Sequence, residues 1–293
     1  MTEVSLPLVL ISGIVALGLF IFLYYKGKNK RAHILSGFCF SLSVYSLAYF
    51  FAAISTNPST AFFLDKISII GAVFSVSLFM NFTIIYTEQK KNYLIEISYF
   101  TSIVLTLMTI GNKIISSVSI KPFHEELGQG YFAFMLQLIF TYILCTYYLV
   151  TYFNKASASE RTRTIYMLFF FSILSLAAAI DMLRLAEIIV FIDVLLLQYA
   201  IFLFIIGITY TILKYRLLKI RVIIHKSAKY TLIATIVLLI FELFKIVLDE
   251  LFSDILSISY SSKVSIILLT FLFEPIKQKT EKFCDRLFLK KKN

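Results

Sequence analysis

Long apolar runs decide what this chain of 293 residues can become. Nine stretches, read as roughly 6–25, 34–55, 67–86, 94–112, 132–153, 164–183, 189–213, 230–250 and 259–276, each come close to the ~20 apolar residues a helix needs to cross a bilayer. Inside hydrocarbon such a run must be helical, because a helix satisfies its backbone hydrogen bonds within itself. Barrel strands place a polar residue at every second position, and these runs do not. Composition agrees, with 59% hydrophobic and 15% charged residues, whereas a soluble domain carries roughly 25% charged residues. The expected fold is all-α, a polytopic membrane helical bundle of about nine transmembrane helices.

Charge orients the bundle. The net charge of +11 does not point to nucleic acid, because the cations sit in short loops between spans. One set of loops holds Lys26, Lys28, Lys30 and Arg31; Lys90 and Lys91; Lys155, Arg161 and Arg163; and Lys214 to Lys229. The C-terminal tail adds seven more cations from Lys277 to Lys292. The opposite loops hold only Lys66, Lys113, Lys121, Arg184 and Lys263. By the positive-inside rule the N-terminus is expected outside and the C-terminus in the cytoplasm. There is no Trp, so Tyr24, Tyr25, Tyr86, Tyr93, Tyr152, Tyr215 and Tyr230 are expected to form the inner interfacial belt. The first residues carry Glu3 and no cation, so Leu6 onward is expected to be a retained helix rather than a signal peptide. Cys39, Cys145 and Cys284 are isolated and suggest neither a disulfide framework nor a zinc site.

The longer outer loops are expected at 56–66, 113–131 and 251–258, none large enough to fold alone. On the cytoplasmic side, 214–229 mixes cations with Leu217, Leu218, Ile220, Val222, Ile223 and Ile224, as an interfacial segment on anionic lipid does. After Pro275, residues Ile276, Thr280, Phe283, Cys284 and Leu287 recur at helical spacing, which predicts an amphipathic output helix over 276–289.

Three segments carry a resemblance to a known family. ITYTILKYRLLKIRVIIHKSAKYTL (208–232), AAAIDMLRLAEI (177–188) and FLFEPIKQKTEKFCDRLFLKKK (271–292) resemble, in turn, the junction after the seventh span, the short turn between the sixth and seventh spans, and the exit of the N-terminal seven-transmembrane sensor region of bacterial membrane histidine kinases. The resemblance implies a seven-span sensor unit over 1–213, followed by 214–293 with the basic segment, two further spans and the tail. It also implies two-component signal transduction, with an output helix bearing Pro275, Phe283, Asp285, Arg286, Leu287 and Phe288. Kinase chemistry does not carry over: His33, His124 and His225 lie in no phosphoacceptor setting, and the 9 glycines form no nucleotide loop. No enzyme activity and no cofactor are expected.

Several side chains are candidates for a ligand site or latch. Glu242 and Lys245 lie at i,i+3 within the eighth span, and ionisable groups in membranes usually face a bundle interior or water. Asp181, Arg184, Glu187 and Asp193 surround the turn between spans six and seven; they could frame the mouth of a pocket or simply be interfacial charges. His124-Glu125-Glu126 lacks the second His of a zinc-protease helix and reads chiefly as a solvated loop. Asn81, Gln137 and Gln198 are expected to hydrogen-bond between helices, and Gly71 with Ser75 forms a small-xxx-small pair.

The function expected is a membrane receptor module that passes an external or membrane-borne signal to a cytoplasmic output, in trans or lost by truncation. Its partners would be the lipid bilayer, a cytoplasmic histidine kinase or other signalling protein, and an unknown small ligand or peptide, with a homodimer left open and no nucleic acid. The alternatives are a small transporter or channel, and a membrane scaffold or accessory subunit. Absent repeats and absent broken spans speak against the transporter.

Overall fold

The computed structural model describes residues 6–89, 92–120, 123–186 and 196–215. These form seven helices and one hairpin: α1 (Leu6–Lys26), α2 (Lys30–Ile54), α3 (Pro58–Tyr86), α4 (Asn92–Ile110), β1 (Ile115–Ile120), β2 (Phe123–Leu127), α5 (Tyr131–Lys155), α6 (Ala158–Leu185) and α7 (Leu196–Tyr215). The helices α1 to α6 are long and apolar enough to cross a membrane. At about 1.5 Å per residue, the 20 residues of α7 reach roughly the 30 Å of a hydrocarbon core. Many large apolar side chains on α4 and α5, such as Phe100, Leu107, Phe132 and Phe140, are exposed, as lipid-facing side chains are. The chain is a multi-pass membrane protein.

Local signals fix the helix starts. Asn57 caps α3 through hydrogen bonds accepted from the Ser59 and Thr60 N–H groups, with Pro58 in the first turn. Both residue types suit those positions. The loop expected at 56–66 is therefore almost wholly helix, and α3 begins at Pro58 instead of 67. Ser59, Thr60, Asp65 and Lys66 lowered the local hydropathy without breaking the helix. Ser157 and Glu160 likewise form a capping box that starts α6 at Ala158 instead of 164. The eighth and ninth spans, the segment 214–229 beyond Tyr215 and the tail helix lie outside the described residues.

The sequence-based loop at 113–131 is the larger departure. It folds into an antiparallel hairpin, with Val118 paired to Glu125 and Ile120 to Phe123. Its inner face joins Val118 and Leu127 to a cluster of Ile69, Val73, Leu105, Ile114, Tyr131, Phe134 and Met182. The hairpin thus lies over one end of the bundle. Its neck is closed by the Gly128 N–H donating to Ile114 O at 2.8 Å and the Gly130 N–H to Lys113 O at 2.7 Å. A Cβ on Gly128 would stand 2.2 Å from Lys113 O, so only glycine fits there.

α2 and α3 pack along most of their length. At Gly71 a Cβ would lie 2.8 Å from Tyr45 N and 2.9 Å from Ser41 O, both backbone atoms that cannot swing aside. Here Gly71, the first residue of the small-xxx-small pair, permits the close approach of two helices. Gly71→Leu should therefore destabilise the bundle by about 1–3 kcal/mol through overpacking, read as a lowered melting temperature in detergent; an unchanged melt would disprove the tight contact.

Polar side chains within the spans join helices. Gln198 Oε1 on α7 accepts from Ser12 Oγ of α1 at 3.0 Å and from Ser46 Oγ of α2 at 3.1 Å. Asn81 donates to the Tyr99 hydroxyl at 3.0 Å, and Gln137 donates to Ser102 Oγ at 2.9 Å. Gln198→Leu should cost roughly 1 kcal/mol, the scale of such bonds in membranes, because Ser12 keeps a second acceptor at Val9 O. A loss well above that in the same melting assay would show that Gln198 does more than join helices.

One aromatic differs from expectation. Tyr24, Tyr25 and Tyr93 are exposed, but Tyr86 is 2% exposed. Its hydroxyl shares a hydrogen bond with Thr164 Oγ1 at 3.2 Å, its ring stacks on Phe82, and the Arg31 guanidinium lies over it. Tyr86 therefore fastens α3 to α6 within the bundle instead of facing the interface.

Candidate functional site

A cavity of about 120 Å³ lies among α2, α3, α5, α6 and α7, beneath the hairpin. Helical periodicity builds its walls. Phe38, Leu42, Tyr45 and Tyr49 line it from α2; Ser68, Ile69, Ala72, Ser75, Val76 and Phe79 from α3; and Phe171, Leu174, Ser175, Ala178, Asp181 and Met182 from α6. Each set follows the three-and-four spacing of one helix face. The depth of the cavity is aromatic. Phe79 stacks on Phe171 with centroids 3.9 Å apart and meets Phe38 and Phe204 at steeper angles.

The hairpin end is polar. Glu125 of β2, Tyr131 of α5, and Asp181 and Arg184 of α6 line it together. Strand alternation explains why Glu125 turns inward: Glu125 and Leu127 share one face of β2. Glu125 is 5% exposed, whereas Glu126 on the other face is exposed and accepts a hydrogen bond from Ser117. Burial pushes the Glu125 carboxyl up from its ordinary range to about 7; nearby Arg184 pulls it down and Asp181 pushes it further up.

Asp181 has two tasks in this geometry. Its carboxylate accepts from the Leu196 N–H at 3.2 Å and the Leu197 N–H at 2.8 Å, so a residue near the end of α6 caps the start of α7. It also lies 3.9 Å from Arg184 Nε. Of the residues singled out from sequence, Asp181 and Arg184 are thus brought together at the cavity. Asp193, Glu187, Glu242, Lys245, and the output positions Pro275, Phe283, Asp285, Arg286, Leu287 and Phe288 lie outside the described residues.

Two buried acids lie where the sequence reads as loop. Glu125 looked like part of a solvated loop, and the alternation of FHEEL was its signal. Asp65 was assigned to a loop as well, yet it is fully buried on α3, with neither carboxylate oxygen hydrogen-bonded. It stands three and four residues before Ser68 and Ile69, which line the cavity, and is not itself part of the lining.

A second opening of about 530 Å³ separates α4 from α5 and is lined by Leu94, Ile97, Phe100, Val104, Leu136 and Phe140 among others. It holds Ser98, Thr101, Gln137 and Thr141 but no charged group. Ligand sites combine apolar walls with a few convergent polar groups, and the cavity under the hairpin has that combination with charge. Among the described residues no group of three or more His, Cys, Asp or Glu could hold a metal ion.

Residues 8–221, which hold the seven helices and the hairpin, match the model of the N-terminal 7TM region of histidine kinase. The chain belongs to that family. No curated protein and no solved structure matches it. Membership makes this 7TM region a membrane sensory input module of two-component signal transduction. The matched region is a sensor region and not a kinase domain.

Proposed function

We propose that the chain is a receptor whose 7TM bundle takes an external or membrane-borne ligand into the cavity beneath the hairpin and passes the change to a cytoplasmic output. The observation that carries this reading is the match over residues 8–221; the capped, charge-bearing cavity supports it. A ligand that fits one packing of the helices better than another shifts the population between them.

In this reading the chain crosses the membrane nine times, with the N-terminus and the hairpin outside and the C-terminus in the cytoplasm, in a bacterial inner membrane. Loop charge supports that orientation. Residues 1–213 form the sensor, and 214–293 relay its state through a basic interfacial segment, two spans and the helix 276–289. Glu242 and Lys245 act as a latch within the eighth span. The chain performs no catalysis itself, binds no cofactor, and acts on a histidine kinase or another signalling protein.

Photo-cross-linking from Phe283 and Leu287 in the native membrane tests the relay. The expected result is a cross-link to a kinase whose autophosphorylation changes in Glu242→Gln. Unchanged output at normal membrane levels in that variant would remove the latch. Solute uptake into proteoliposomes that depends on Glu242 would replace the receptor with a transporter. An antibody to the tail adds the arrangement: a native band near 33.7 kDa means output in trans, and a much larger band means output in the same polypeptide.

A further inference from the structure

The cavity beneath the hairpin is small, and several of its polar groups are already occupied. Its volume of about 120 Å³ compares with the roughly 150 Å³ of an apolar cavity that holds one benzene. Ser68 and Ser75 on its wall donate to Tyr45 O and Ala72 O, and the Tyr131 hydroxyl donates to Met182 O. Asp181 accepts from two N–H groups of α7 and lies beside Arg184, so these two charges answer each other. Glu125 differs. It lines the same cavity at 5% exposure, and among the described residues no hydrogen bond or ion pair engages its carboxyl.

We propose that this cavity binds a small uncharged molecule of about one ring, bearing a hydroxyl that hydrogen-bonds to Glu125. The proposal rests on the receptor reading and names the ligand class of that site. Size sets the first limit: a whole lipid or peptide is larger than the space. The walls set the second. Phe38, Phe79, Phe134 and Phe171 line the cavity, and aromatic side chains favour another ring in offset or edge-on contact. Charge sets the third. Burial raises the Glu125 carboxyl to about 7, so below that pH the acid is mainly neutral. A protonated carboxyl offers one O–H donor and an acceptor oxygen, and a hydroxyl complements both. An ammonium would give up its hydration with one desolvated acid to answer it. An anion would compete with Asp181 for Arg184 and share the cavity with Glu125. A ring without a polar atom would leave the carboxyl unpaired.

The test uses the full chain in lipid nanodiscs at pH 6, titrated by fluorine NMR with para-fluorophenol, fluorobenzene and para-fluorobenzylammonium, each corrected for partition into empty nanodiscs. The phenol should bind at least tenfold more tightly than either of the others. Glu125→Leu should lower the phenol to the level of fluorobenzene. Glu125→Gln, whose amide also donates and accepts, should keep its affinity within about threefold of the parent. Ala178→Leu, which narrows the cavity from α6, should abolish binding of the phenol and of fluorobenzene, with circular dichroism showing intact helices; this variant locates the ligand even if Glu125→Leu fails to fold. Absence of phenol binding by the folded parent would overturn the proposal, as would an ammonium bound as tightly as the phenol. Phenol binding untouched by Ala178→Leu or by Glu125→Leu would overturn it too. Equal binding of phenol and fluorobenzene that Ala178→Leu removes would also overturn it, yet would leave the receptor reading standing; that reading falls instead on the cross-linking and uptake experiments.

Discussion

Asp181→Ala should destabilise the bundle more than Gly71→Leu or Gln198→Leu, by about 2–4 kcal/mol, because it removes the acceptor of two N–H groups at a helix start. The N–H groups of Leu196 and Leu197, 3.2 and 2.8 Å from that carboxylate, would lose their partner. Arg184 would lose its neighbour at 3.9 Å and be left beside the cavity. Asp181→Asn keeps one acceptor oxygen where the carboxyl uses two, and should lose about half as much. The measurement is thermal unfolding of both variants in the same detergent, joined to hydrogen exchange at Leu196 and Leu197. Alanine and asparagine variants of equal stability, with exchange unchanged, would mean that the contact between α6 and α7 does not depend on this carboxylate.

The second large effect is a dependence on pH. Burial raises the Glu125 carboxyl from 4.5 to about 7, so the folded chain binds this proton more tightly than the unfolded chain. The contribution of Glu125 to stability is then fully present below about pH 4.5 and is lost as pH rises toward 7, beyond which it stays lost. At about 1.36 kcal/mol per unit, the span amounts to roughly 3 kcal/mol. The charges that act on it are Arg184 and Asp181 of α6, and its own charge bears on Tyr45 and Tyr49 of α2, Asp65 of α3 and Tyr131 of α5. Glu125→Gln, which resembles the protonated form, should be more stable than the parent at pH 8 by up to about 3 kcal/mol, and equal to it near pH 4.5. Comparing variant with parent at each pH removes the share of the other groups. Parallel stability profiles across pH 4.5–8 would show that Glu125 is not held in a desolvated place.

Sequence alone made the helices legible because lipid imposes one requirement on every span. The runs at 6–25, 94–112 and 132–153 correspond closely to α1, α4 and α5. Failure began where polar residues entered a helix. Asp65 and Lys66 were read as loop because hydropathy averages over a window, whereas Asn57 and Pro58 mark a start that no average registers. The hairpin was missed for a related reason: its strands of six and five residues are too short to stand alone and exist by packing on α3 to α6. Once it was read as loop, the inward face of Glu125 had no basis. Asp181 and Arg184 could be found because an acid and a base three apart at a helix end stand out in any reading. Their neighbour at the site, Glu125, comes from an element distant in sequence, and only the tertiary fold brings it near.

The shared acceptor at Gln198 bears on how the bundle is completed. The two hydroxyls it receives belong to residues 186 and 152 positions earlier in the chain. α7 also packs on α1, so the ring of helices closes between its first and seventh members. Chains are synthesised from the N-terminus, and this closure cannot occur until the seventh helix has entered the bilayer. Until then α1 and α2 present Ser12 and Ser46 along an unclosed flank. Assembly of the input unit therefore ends on its longest-range contact, and a ribosome halted before residue 198 leaves a partly built bundle open along that flank.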